Sequence, residues 1–459
     1  MKTLDKEILR LALPSILANI TIPLVGMVDM AVAGHLDGGS AALIGGISVG
    51  SLMFDLLYWN FGFLRAGTGG LTAQAFGRGD IAGCRTNLRR SLLTALALSL
   101  VLIAIQWPFE KLIFFFVNCS EEVRHLATRY FRLRIWAAPA TLSLMVLRGW
   151  FIGMQDTVSS MLTDLVVNGT NIILSIFLAS GLPRAGFSGL GYIGIAWGTV
   201  AAQYGGLAFA CAMIFRRFGK VMAAAPAEGE PEGSVMENFR RFYKVNADLF
   251  IRSLCLMAVY LAFTAISARF GDVLLATCSI MMKLMLVFSY FTDGFAFAGE
   301  ALTGKFTGMQ DTAMVRHTVR HTFAWSMGIG LLFVLVYAFF GISMFRMMTT
   351  DHEVLESARQ FIPWLAFIPL LGCPAFTWDG IYTGATATRQ MRDSNIGCVF
   401  AFAAVWLAGS LLLRPEGAAG VHLLFAAYYA HLVFRSVYQT VKYRRAILLP
   451  VEGGIGNIH

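Results

Sequence analysis

Residues 16–34 read ILANITIPLVGMVDMAVAG. An uninterrupted apolar run of this length is long enough to cross the hydrocarbon of a bilayer as a helix. It carries one carboxylate, Asp29, and one proline, Pro23, six residues before it. An ionised carboxylate in hydrocarbon costs roughly 2.5–3.5 kcal/mol on insertion scales, so its presence there calls for a reason. Pro23 lacks an amide hydrogen and crowds the preceding turn, which predicts a bend in the helix near it. A bendable helix with a titratable group reads as a coupling element. The plainer reading is that Asp29 lies near the helix end and reaches water.

The rest of the chain repeats the pattern. Hydrophobic residues make up 57% of the sequence and charged residues 14%, against about 25% charged in soluble domains. About twelve spans follow from length and flanking charge, at 8–34, 41–66, 91–117, 124–152, 158–180, 190–215, 243–268, 273–300, 318–345, 355–384, 394–413 and 419–441. The fold class is an all-α, multi-pass membrane protein, and the start of the chain does not read as a cleavable signal. Its seven scattered cysteines show no paired or metal-ligand spacing and read as buried free thiols. The net charge of +9 marks loops on one side of a membrane, not nucleic-acid binding.

Lys and Arg concentrate before the first span and after the second, sixth, eighth, tenth and twelfth. This predicts both termini on the cytoplasmic side of a cytoplasmic (inner) membrane. Arg124, Arg129, Arg132 and Arg134 fall at the opposite end of the fourth span and are expected to line an outer vestibule.

LTAQAFGRGD at 71–80 matches LTGKFTGMQD at 302–311, an offset of 302 − 71 = 231. The same offset sets Glu122, Val123 and Ala127 on Glu353, Val354 and Ala358, and Gly149 and Gly153 on Gly380 and Gly384. The chain therefore reads as a duplication of six spans. The expected lobes are 1–218 and 240–445, joined by a Pro/Gly/Glu-rich linker at 219–239 and followed by a tail at 446–459. Two copies of the same orientation imply a pseudo-two-fold axis along the membrane normal. The motif GMQDT occurs at 153–157 and 308–312, and Gly77 and Asp80 share its spacing. Glycine suits a left-handed helix end and aspartate an N-cap, so these read as tight turns.

No nucleophile–base pair, phosphate loop or metal motif stands out, which argues against an enzyme or receptor. His317 and His321 have a ligand spacing, but Arg316 and Arg320 beside them would repel a cation. The informative residues are polar groups inside the spans. The first half holds Asp29, Asn168, Asn171, Ser175 and Thr199. Asn168, Asn171 and Ser175 share one helix face, where hydrogen-bond glue between helices is the simpler reading. The second half holds Asp248, Arg252, Lys283, Asp293, Glu300 and Asp379. Asp248 and Arg252 stand one turn apart, as an ion pair would. Asp293 and Glu300 lie two turns apart on one face and offer carboxylates to a cationic solute.

LRLALPSILANITIPLVGMVDMAVAGHLD near the start, GLTAQAFG at 70–77, the Asn168/Asn171 pair, DGFAFAGEA at 293–301 and WDGIYTGATATRQMR at 378–392 together resemble the multidrug and toxic compound extrusion (MATE) family, in its DinF-like branch. The resemblance implies two six-helix lobes and export of small amphipathic, often cationic compounds in exchange for protons or sodium ions. It implies that Asp29 binds the coupling cation, with Asn171 and Thr199 as polar partners. Ser175 and Gln203 stand where relatives carry Asp and Glu. Fewer carboxylates make a poorer cage for sodium, which favours protons. Sodium held by Asp29, Asn171 and Thr199 is the alternative. Asp248, Arg252, Asp293, Glu300 and Asp379 are then candidates for the substrate cavity, in a monomer needing no cofactor. A lipid-linked precursor flippase is a further reading, kept open by Arg252, Lys283 and Lys305.

Overall fold

The computed structural model describes residues 2–36, 41–117, 119–181, 188–223 and 232–453. These residues are helical throughout, with no strand among them. Twelve helical stretches are long and apolar enough to cross a membrane. Each corresponds to one of the twelve expected spans, and most extend several residues further.

Three of the expected stretches are broken between separate helices. The second is α2 (Ala41–Trp59) followed after Asn60 and Phe61 by α3 (Gly62–Gly77). The stretch expected at 91–117 is corrected: α4 (Ile81–Ala104) makes the crossing, and α5 (Gln106–Phe116) is a separate short helix. Pro108 explains the break, because proline fits the first turn of a helix and not its interior. The fourth span is α6 (Glu121–Arg134), a 3₁₀ turn at Ile135–Ala137, and α7 (Ala138–Gly153) with Pro139 in its first turn. The remaining helices are α1 (Lys2–His35), α8 (Thr157–Ser180), α9 (Tyr192–Ala223), α10 (Glu232–Ser267), α11 (Asp272–Gly308), α12 (Thr312–Met348), α13 (His352–Gly384), α14 (Thr388–Leu413) and α15 (Gly417–Tyr443). A π-helical turn at Arg444–Leu448 leads into α16 (Leu449–Glu452). The core of the proposed linker, 224–231, lies outside the described residues.

The chain packs as two compact units. One comprises Leu17–Thr72 and Asp80–Glu230, with α8 lying along α9, α2 against α6 and α4 against α7. The other comprises Met1–Ile16, Ala73–Gly79 and Pro231–His459. There α13 packs on α11 and α12, and α14 on α15 and α10. Its core is built from aromatic and methionine side chains such as Phe263, Met281, Phe288 and Phe425, all buried.

Corresponding glycines do the same work in each unit. A Cβ on Gly149 would stand 2.0 Å from the Arg65 carbonyl oxygen, and one on Gly380 would stand 2.0 Å from that of Ala296. Both the glycines and the carbonyls are 231 residues apart. The helices touch backbone to backbone at these points, a close approach that small residues permit within membranes. We expect Gly149→Ala and Gly380→Ala each to cost about 1–3 kcal/mol, read as a lower thermal unfolding midpoint of the purified protein. An unchanged midpoint would mean that the two helices separate at no cost.

The tight turns also repeat, with one correction. The residues in the left-handed region are Gly79 (φ 71°), Gln155 (φ 61°), Gln310 (φ 58°) and Thr386 (φ 52°), which pair at the same offset. The motif glycines two positions earlier are instead the last helical residues. Gly77 abuts the Lys305 carbonyl and Gly308 the Gln74 carbonyl. These contacts are reciprocal under the repeat, as across a local two-fold axis. Space, not left-handed geometry, requires glycine there. The aspartate caps are present: Asp80, Asp156 and Asp311 accept from the amides of Gly83, Ser159 and Met314. Thr386 is β-branched, and such a residue at positive φ is a backbone outlier. Its hydroxyl accepts hydrogen bonds from Gln74 Nε2 (3.1 Å) and Arg241 Nη2 (3.2 Å).

Candidate functional site

In the unit formed by Leu17–Thr72 and Asp80–Glu230, α1 carries Asp29 into the interior, where it is 5% exposed. The reading in which Asp29 reaches water is therefore set aside. Helix α1 stays helical through Pro23. Ser175 of α8 stands beside the Asp29 carboxylate, and Arg134 at the end of α6 lies within electrostatic reach of it. Asp29 Oδ1, Ser175 Oγ and Asn171 Oδ1 are all buried without a hydrogen-bond partner. Buried polar atoms are normally paired, and these three acceptor-capable oxygens, on α1 and α8, are exceptions.

The expected face of α8 is real, and its members have different partners. Asn168 Nδ2 donates to Thr21 Oγ1 of α1 at 2.6 Å, which is helix-to-helix glue. Asn171 Nδ2 donates to Thr199 Oγ1 of α9 at 3.0 Å, which leaves its carbonyl oxygen open. One turn before Asn168, Asp164 pairs with Arg148 of α7. Asp164, Asn168, Asn171 and Ser175 thus form one polar stripe.

Three charged residues of this unit escaped the sequence reading. Asp55 of α2, also within reach of Arg134, lies exposed in an otherwise apolar helix. Asp164 and Arg148 form the ion pair just described. The signal was available, since LMFDLLYW at 52–59 sets a lone acid among apolar residues, as in the stretch around Asp29. Arg134 leaves its neighbours and turns to Tyr130 (3.0 Å to the hydroxyl) and to the Phe54 ring, 4.8 Å from its centroid. Arg129 and Arg132 line a pocket of about 460 Å³ with His125 and Trp197, and Arg132 pairs with Glu110 at 3.0 Å.

In the other unit the expected Asp248–Arg252 pair is not formed. Asp248 is held by Arg392 (2.6 Å) and Thr388 (3.1 Å). Arg252 pairs with Asp379 of α13, which is also held by Arg435 of α15 and approached by Gln439 at 3.4 Å. Tertiary geometry overrides helical spacing because α10 packs against α14, which supplies the partners for Asp248. Asp293 is half-buried and accepts from Ser289 at 3.3 Å, whereas Glu300 is 1% exposed. His321 is not a free ligand candidate, since its Nδ1 meets Asp5 at 2.8 Å. All seven cysteines are free.

A family model described as MatE matches residues 14–177 and 249–407. The chain belongs to the MatE family. Over 442 residues this MatE protein is 33% identical to DNA damage-inducible protein F of Escherichia coli, covering 96% of this chain and 92% of the relative. It is 24% identical over 438 residues to a probable multidrug resistance protein NorM of Rhizobium meliloti, covering 91% and 88%. The fold is shared with a solved structure described as the outward-facing conformation of a multidrug resistance MATE family transporter. The TM-score is 0.80, at 16% identity over 98% of this chain and 97% of that one. The all-α, twelve-span expectation is met, and the MatE protein presents its open buried oxygens on α1 and α8.

Proposed function

We propose that this MatE protein is an efflux antiporter that exports small amphipathic organic compounds by alternating access, driven by protons entering at Asp29. The observation that carries the reading is the buried Asp29 carboxylate oxygen without a hydrogen-bond partner, beside Ser175 and within reach of Arg134. Desolvation disfavours the charged form of a carboxylate, so its protonation and the packing of α1 are linked. Pro23 gives α1 a point at which to repack. Arg134 balances the carboxylate when no coupling cation is bound, and a proton arriving at Asp29 releases that balance.

Sodium is the competing ion, and the same open oxygens are its natural ligands. A hard cation takes several oxygens, preferably charged. Here one carboxylate, one amide and one hydroxyl are open, with a guanidinium close by, which favours the proton. Among the acids of the second half, Asp293 and Glu300 are proposed to meet cationic solutes. Asp248 and Asp379, each held by arginine, are proposed to hold helices together. The positive-inside asymmetry supports termini on the cytoplasmic side of the inner membrane.

Reconstituted vesicles loaded with a cationic dye test the reading, with a proton gradient and a sodium gradient imposed separately. Export driven by the proton gradient alone is the expected result. Export that follows only sodium reassigns the coupling ion. Dye movement indifferent to both gradients removes antiport altogether.

A further inference from the structure

A cleft of about 620 Å³ opens between the start of α12 and the end of α15, lined by Arg316, Val319, Arg320, Tyr443, Arg444 and Leu448. Arg316 and Arg320 are one turn apart and share a face of α12. Arg444 begins the π-helical turn that ends α15, a distortion that often accompanies a functional position. Three guanidinium groups thus converge on one concavity. Among the described residues one carboxylate answers them, Glu452, which accepts from Arg316 Nη2 at 2.9 Å at an exposed position. Arg320 and Arg444 have no ion-pair partner among the described residues. The Tyr443 hydroxyl, buried at the wall, has no hydrogen-bond partner, and its ring is fixed against Trp378 at 5.0 Å.

The walls are mixed in character. Val319 and Leu448 are buried and apolar. Leu449, next to the wall residue Leu448 in the chain, turns exposed apolar surface outward (45%), as side chains facing acyl chains do. Arginine matches phosphate oxygens in fork geometry, and tyrosine adds a further donor. Basic pockets between membrane helices at the charged interface are suited to phosphate headgroups.

We propose that this cleft is a binding site for a phosphate-bearing anion, with Arg316, Arg320, Arg444 and Tyr443 as its donors. Glu452 is an internal competitor for Arg316 and is displaced when the anion binds. The apolar wall of Val319 and Leu448, continued by exposed Leu449, favours an anionic phospholipid over a soluble phosphate as the source. The site stands apart from the ion-coupling reading and does not depend on it.

The full-length protein in a neutral detergent is titrated with short-chain phosphatidylglycerol, short-chain phosphatidylcholine and inorganic phosphate. Native mass spectrometry and thermal unfolding follow the binding. Phosphatidylglycerol is expected to bind and to raise the unfolding midpoint, with phosphatidylcholine far weaker. Arg320→Gln/Arg444→Gln should weaken phosphatidylglycerol binding on the order of tenfold or more. Arg89→Gln/Arg240→Gln, which removes two exposed arginines elsewhere, should leave it unchanged. A response to inorganic phosphate that is lost in the Arg320/Arg444 variant, without one to phosphatidylglycerol, supports the site and assigns it a soluble source. Equal binding of both lipids, or undiminished binding by the Arg320/Arg444 variant, overturns the proposal. Should that variant fail to fold, Glu452→Gln takes its place. Freeing Arg316 should tighten binding severalfold, and unchanged affinity overturns the site.

Discussion

Vesicles carrying Asp29→Asn are expected to lose gradient-driven export while the purified variant still folds and binds solute. Asparagine keeps the shape of the side chain but cannot exchange a proton for a charge. Moving a two-state equilibrium from 1:99 to 99:1 takes about 5.5 kcal/mol of differential binding. If cation exchange at Asp29 supplies that difference, its removal lowers export on the order of a hundredfold, towards background. Solute affinity at equilibrium should change far less, because the acids proposed to meet the solute, Asp293 and Glu300, lie on α11 in the other unit. Two measurements on one preparation separate the outcomes: solute binding in detergent and dye export from vesicles. Export at the native rate under an imposed proton gradient would remove Asp29 from the coupling role. Loss of both binding and a folded, monodisperse protein would say that the carboxylate is structural, and Asp29→Glu would then distinguish charge from shape.

What the sequence disclosed, and what it hid, follows from where each determinant acts. The twelve crossings were legible because a span is a property of length and apolarity within one segment. Asp29 was legible because a lone acid in such a segment is costly. The breaks at Asn60, Ile105 and Ile135 were not, because the apolar run continues through each of them while the backbone turns. Only Pro108 and Pro139 hinted at two of them. The ionic partners were hidden for a different reason. Helical spacing offered Arg252 to Asp248, and the fold instead gave Arg252 to Asp379 on α13 and Arg392 to Asp248 from α14. A charge inside a membrane takes the partner that satisfies it most fully, and that partner is set by which helices pack together. The glycines show the same division. Their positions and their 231-residue repeat are written in the chain. That Gly149 and Gly380 serve close helix contact, while Gln155 and Thr386 bear the left-handed strain, needed the backbone.

The second large effect is expected at Asp379. Its carboxylate receives Arg252, Arg435 and Gln439, and Arg435 is 2% exposed. Asp379→Asn leaves two guanidinium groups together in the interior with no carboxylate between them. Removing one partner of a buried ionic cluster costs about 3–5 kcal/mol, because the charge left behind is neither hydrated nor paired. His431, one turn before Arg435, offers no relief, since it too is buried with both ring nitrogens unpartnered. Unfolding can be followed by reaction of the Cys398 thiol with a maleimide dye. Cys398 is 1% exposed, and its Sγ donates to the His431 carbonyl at 3.4 Å. The midpoint for Asp379→Asn should fall by about 5 °C or more. Adding Arg435→Met removes one of the two stranded charges and should recover part of the loss, a coupling that a double-mutant cycle measures. A variant with the native midpoint that has lost cation-driven export would reverse the assignment: Asp379 would then be part of the transport chemistry, and the two arginines its permanently bound cations.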